Sequence, residues 1–168
     1  NPIAEVDFNA NHLRMFLAFN QRDVIGDYDA YAPLSDESDV ERNKVKAFIN
    51  VGLNSESFEA TKRVVAREFQ VSHTDSAKIA EAFTKLYPKL DLHCGFALTA
   101  MQLEGVILKD VLLRGARAGI LALPIHDAAA VEFDHQDWAK DAMQDAWQTV
   151  MSKFHRNAKT IARVQFNS

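Results

Sequence analysis

Cysteine is nearly absent from this chain of 168 residues: Cys94 stands alone. One thiol cannot form an internal disulfide, so a disulfide-stapled secreted scaffold is excluded and a reducing compartment, by default the cytoplasm, is expected. Long apolar runs are missing as well. The longest, near Ile120 to Pro124, falls far short of the ~20 residues that span a bilayer. The N-terminus lacks the basic-then-apolar plan of a signal peptide, and no membrane partner is expected. There is no excess of positive charge: 19 Lys and Arg face 23 Asp and Glu, for a net charge of -4. That balance is unlike a dedicated non-specific nucleic-acid binder, which neutralises phosphates with clustered cations. No internal repeat, glycine-rich phosphate loop or Ser-His-Asp nucleophile pattern occurs.

What is present is enough to fold. Hydrophobic residues make up 48% of the chain, ordinary for a globular core, and the length fits one domain with a small elaboration. Alternation over Glu5 to Phe8 predicts the end of a strand, and Leu13, Phe16 and Leu17 predict a helix from about Ala10. Gly26 to Asp39 reads as a loop, after which Asp39 is placed to cap a helix over Val40 to Leu53. Further helices are expected from Ser57 to Phe69, after a cap at Thr74 or Asp75 with Pro88 ending it, and over Leu98 to Ala118, closed by Gly119. Ile120 to Ile125 and Ala129 to Phe133 then predict two strands around a turn at His126 and Asp127. An amphipathic helix from Asp137 carries Trp138, Met143, Trp147, Val150, Met151 and Phe154, and Thr160 to Phe166 reads as a closing strand. The expected class is α+β, a small antiparallel sheet with packed helices.

Two aspartates carry the chemical signal. Asp7 ends the first strand-like run and Asp127 sits at the hairpin tip, so neighbouring strands would bring the two carboxylates to one end of the sheet. Hard oxygen ligands suit Mg²⁺, which keeps waters and substrate phosphates in its remaining positions. Two such ions, roughly 3.5–4 Å apart, can activate a hydroxyl and neutralise the leaving oxygen of a phosphoryl group.

In this order the motifs resemble the palm of family A DNA polymerases and single-subunit phage-type RNA polymerases. The first palm motif of those enzymes is similar to Asp7-Phe8-Asn9-Ala10-Asn11-His12-Leu13-Arg14, and the last to Ala122-Leu123-Pro124-Ile125-His126-Asp127-Ala128. Between them, Arg42 and Lys46 resemble the cation pair of a fingers helix, and Thr99 to Arg117 resembles the helix leading into the hairpin. The resemblance spans about residues 3 to 135. It implies a single palm-like domain over 1–168, with 36–95 as a reduced helical fingers-like insertion. It also implies two Mg²⁺ or Mn²⁺ ions on Asp7 and Asp127, and a nucleoside triphosphate met by Lys46 and Arg42. His126 would help position the primer end, and His12 stands where many of these DNA polymerases carry a Glu that crowds the ribose. The implied partners are a primer-template, nucleoside triphosphates, and further subdomains or a partner protein supplying basic surface.

Departures from the family pattern define the alternatives. Ala128 follows the His-Asp pair where the DNA polymerases have Glu and the RNA polymerases Ser, and no fingers tyrosine follows Lys46. A palm fold that has lost catalysis and serves as a binding or scaffold module is one rival. A metal-dependent nuclease is another; it needs further acidic ligands, for which Glu5 and Glu132 are the candidates. Asp7 as a helix cap, Asp127 as an ordinary turn residue, and Arg42 with Lys46 as a solvated face are the structural alternatives.

Overall fold

The computed structural model describes residues 2–23, 28–160 and 162–165. The element order is β1 (Ile3–Phe8), α1 (Asn11–Phe19), α2 (Ala32–Ser38), α3 (Arg42–Asn54), α4 (Phe58–Phe69), α5 (His73–Leu86), α6 (Ala97–Ala118), β2 (Ala122–Ile125), β3 (Ala128–Glu132), α7 (Gln136–Met151) and β4 (Ala162–Gln165). This is an α+β chain with one four-stranded antiparallel sheet, ordered β2-β3-β1-β4. Residues 1–27 with 100–168 make one compact unit, and residues 28–99 make a second.

In the sheet unit, period-two alternation puts the apolar residues of β1 on one face, while β3 is buried on both faces, Ala128 and Ala130 included. Ala4, Val6 and Phe8 of β1 are buried, as are Ala129 and Val131 of β3. Against them lies α7, whose buried stripe runs through Ala139, Ala142, Met143, Ala146, Trp147, Val150 and Met151. Glu5 and Asp7 point to the opposite face and are half-buried. On that face β3 contributes only the methyl groups of Ala128 and Ala130, so nothing bulky rises from it beside Asp7.

Helix α6 delivers the chain to the hairpin through a Schellman close. Gly119 takes φ 70°, Ile120 N–H donates to Gly115 O at 2.8 Å, and Gly119 N–H to Ala116 O at 3.4 Å. Gly115 is also sterically required, since a Cβ there would lie 2.8 Å from Ile120 O and 3.1 Å from the Trp138 ring. The left-handed conformation of His126 (φ 54°) then closes the two-residue turn between β2 and β3.

The helical unit packs α2, α3, α4 and α5 around Leu34, Val45, Phe48, Ile49, Leu53, Val65, Ile79 and Phe83. Several local expectations are corrected here. Ala32–Ser38, expected as loop, is helical because Pro33 occupies the first turn, where its missing N–H costs nothing; Gly26 and Asp27 of that expected loop lie outside the described residues. Asp39 ends α2 in the left-handed conformation, and α3 begins after Glu41. The cap of α5 is Ser72, whose Oγ accepts from Asp75 N–H at 3.0 Å, in place of Thr74 or Asp75. Of the closing strand expected from Thr160 to Phe166, Ala162–Gln165 forms β4, while Ile161 and Phe166 lie outside the described residues. Among the described residues no helix is long and apolar enough to cross a membrane.

Candidate active site

The strand register fixes where Asp7 lies relative to the β2–β3 turn. Antiparallel pairing of β1 with β3 sets Asp7 opposite Ala128, the residue after Asp127. Cross-strand and sequential spacing therefore hold the Cα atoms of Asp7 and Asp127 roughly 6–7 Å apart, at one end of the sheet. Asp7 lies within β1, and α1 starts after the left-handed Ala10 with no side-chain cap, so Asp7 is not a helix cap. Asn9, in the turn after β1, has a buried Oδ1 with no hydrogen-bond partner. The donor set at this end of the sheet is therefore oxygen: two carboxylates and a nearby carboxamide, which fits a hard cation such as Mg²⁺. Among the described residues no group of three or more His, Cys, Asp or Glu side chains could hold a metal ion. A site here thus leaves most coordination positions to water and substrate oxygens. Glu132, a candidate further ligand for a nuclease, pairs with Ile3 at the far end of β3. Four residue steps from Ala128, at about 3.3 Å each, remove it from Asp127.

His12 enters the same region from α1, and the structure supplies a partner that no sequence motif named. His12 Nε2 is 2.9 Å from Glu104 Oε1, and Asn11 Nδ2 donates to the same oxygen at 2.8 Å. Asn11 is in turn fixed by the indole of Trp147, whose Nε1 donates to Asn11 Oδ1 at 3.0 Å. Glu104 lies on the stripe of α6 that also carries Ala100, Ile107, Leu108 and Val111, all buried. A carboxylate at helical spacing within an apolar stripe is a signal that the sequence contains and that could have singled it out. By contrast Leu98, Met101 and Val106 of that helix are exposed. The hydrogen bond to Glu104 raises the pKa of His12 above its ordinary value; burial works against the rise, and the charges of Glu104 and Asp127 add to it.

Arg14 completes the frame. It is fully buried, and its Nε donates to Asn9 O at 2.9 Å and its Nη1 to Lys159 O at 3.5 Å. One guanidinium thereby ties the turn after Asp7 to the segment entering β4, satisfying a buried charge with backbone oxygens. His126 is exposed at the hairpin tip, beside Asp127.

The two remaining candidates, Arg42 and Lys46, belong to the helical unit, one turn apart on α3. Arg42 is committed to Asp29 through two guanidinium hydrogen bonds and lies 5.4 Å over the Tyr31 ring. The hydrogen bonds to Asp29 raise its pKa further. Lys46 is exposed, without a hydrogen-bond or ion-pair partner among the described residues, and lines a cavity of about 580 Å³ with Asn43, Asn50, Asn54, Val64 and Phe69.

No protein-family model matches the chain, and no curated protein sequence matches it.

Proposed function

We propose that the sheet unit is a polymerase palm and that the protein transfers nucleotides from nucleoside triphosphates to a 3′-hydroxyl. The observation that supports this is the β1–β3 register, which pairs Asp7 with Ala128, the residue after Asp127, at the hairpin end of a sheet packed on one face by α7. Asp7 and Asp127 would hold two Mg²⁺ or Mn²⁺ ions, with Asn9 Oδ1 as a neighbouring oxygen. Bound there, the ions would lower the pKa of the attacking hydroxyl and neutralise the pyrophosphate leaving group. The chain's own part is positional. Glu104 would fix His12 through Nε2, leaving Nδ1 to donate to a substrate oxygen when the imidazole is protonated. His126 presents its imidazole at the hairpin tip, where a primer end would lie. Lys46 is the cation assigned to the triphosphate. Arg42 has a weaker claim to that role, because Asp29 already occupies its guanidinium.

The test is extension of a primed template with nucleoside triphosphates and Mg²⁺ or Mn²⁺. Asp127→Ala and Asp7→Ala are expected to lower the rate on the order of a thousandfold or more, since each removes a ligand of ions worth several kcal/mol of transition-state stabilisation. Deoxyribonucleotides run against ribonucleotides would report the sugar preference at His12. Metal binding that disappears in both variants, with no extension by the wild type, would transfer the assignment to the scaffold alternative. Absence of metal binding in the wild type would remove the palm assignment altogether.

A further inference from the structure

An acidic chain that handles nucleic acid must concentrate positive charge somewhere, because strand binding is largely phosphate neutralisation. Here the charge is segregated. From Met151 to Ser168 the sequence holds Lys153, Arg156, Lys159 and Arg163 and no Asp or Glu, a net of +4, while the remaining residues hold 15 cations against 23 acids.

All four side chains are exposed, and among the described residues none makes a hydrogen bond or an ion pair. Of the 15 cations elsewhere, six meet a carboxylate among the described residues: Arg42, Lys44, Lys62, Arg67, Lys85 and Arg114. The backbone beneath the four is held in place. Ala158, Thr160 and Ala162 are buried, Lys159 O accepts from buried Arg14, and Arg156 O accepts from Gln148 Nε2 at 3.5 Å. Long flexible cations therefore project from a docked segment.

Arg163 connects this segment to the site. Pairing of β4 with β1 sets it opposite Asp7, and cross-strand partners share one face of a sheet at about 5 Å between Cα atoms. A guanidinium beside a metal-binding carboxylate opposes cation binding on its own, but it suits a phosphate that arrives with the metal.

We propose that Lys153, Arg156, Lys159 and Arg163 form the phosphate-backbone grip for a nucleic-acid strand, with Arg163 taking the phosphate nearest the paired aspartates. The identity of the partner rests on the polymerase assignment; the binding itself is measurable without catalysis.

The experiment is fluorescence anisotropy of a labelled oligothymidylate, without metal or nucleotide, between about 50 and about 200 mM salt. Replacing all four cations by Gln is expected to flatten the slope of log K against log salt by roughly three, at about 0.7 per released phosphate contact on a single strand. The single change Arg163→Gln should remove about one such contact. A control replacing Lys62, Arg67, Lys85 and Arg114 by Gln, the same loss of charge from cations already paired, should leave the slope closer to that of wild type. Thermal melting confirms that each variant is folded. Equal flattening by both quadruple variants would overturn the grip as a local feature, and so would absence of salt-dependent strand binding in the wild type. Capture by phosphatidylserine vesicles but not by the oligonucleotide, lost in the first variant, would also overturn it in favour of a membrane surface. Failure of the polymerase assignment looks different: the strand still binds with the expected slope, yet no primer is extended.

Discussion

The two compact units bury different kinds of polar side chain. Among the described residues the helical unit buries the hydroxyls of Ser38, Thr61 and Ser76, whereas the sheet unit buries charged, amide and indole groups. Arg14 and Asn11 are buried, Glu104 has a side-chain exposure of 14%, and Trp147, at 0% exposure, uses its indole N–H to hold Asn11. In the helical unit the ion pairs sit at the surface: Lys44 with Asp75, Lys62 with Glu59, and Lys85 with Glu37. A buried polar contact adds little net stability when made but is costly when half of it is removed, so it holds a side chain in one place. An exposed ion pair is screened by water and salt and contributes little. In the sheet unit, fixed geometry is thus concentrated around Asn11, His12 and Glu104.

The largest effect expected from breaking this contrast is at Trp147. Trp147→Phe keeps most of the buried ring but strands Asn11 Oδ1 without its donor. That loss costs about 1–3 kcal/mol, the range for a buried polar atom left unpaired. Denaturant unfolding measures it. An effect indistinguishable from zero would show that Asn11 finds water or another partner, and that the network does not order the sheet unit.

Much of the fold is legible in the sequence, for identifiable reasons. Alternation marks β1, the polar turn at His126 and Asp127 marks the β2–β3 hairpin, and Gly119 marks the end of α6, because each of these signals is local. The positions of Asp7 in β1 and Asp127 in the hairpin turn are legible too, since each follows a strand-like run. What escapes local inspection is pairing across the chain. Glu104 meets His12 and Asn11 from 93 residues away in the case of Asn11, and no spacing rule reaches that far. Arg42 looks like an available cation until Asp29 occupies it, which depends on how the segment before α2 folds back on the start of α3. The α2 helix is missed because its seven residues, Ala32–Ser38, are dominated by turn-forming types, and packing against α5 overrides propensity.

A smaller and pH-dependent effect is expected at Glu104. The His12 pKa is raised in the fold, so the pair's stabilisation is complete below the unfolded value near 6.5 and is lost as pH rises through the raised folded value. Glu104→Gln removes the charge that causes the rise. The difference in stability between wild type and variant should therefore be greatest on the acid side, on the order of 1 kcal/mol given that the His12 side chain is 27% exposed, and shrink toward alkaline pH. In NMR titration the His12 midpoint should fall in the variant. A midpoint unmoved by the substitution would mean that Glu104 does not govern the protonation of His12.

The smallest effect belongs to the helical unit and is the control that gives the others meaning. Lys44 Nζ lies 2.8 Å from Asp75 Oδ2, a shorter contact than His12 makes with Glu104 at 2.9 Å. If distance alone set the value of an ion pair, Lys44→Ala would be at least as damaging as Glu104→Gln. It should not be, because the Lys44 side chain is 37% exposed and water replaces the lost partner on both sides. The bond to Asp75 raises the pKa of Lys44 and lowers that of Asp75, yet around neutral pH both groups are charged with or without that contact. The expected result is an unfolding midpoint matching the wild type from low to high salt. A resolvable loss that fades with added salt would mean that surface charge pairs do organise the helical unit, and the contrast between the two units would then be one of degree.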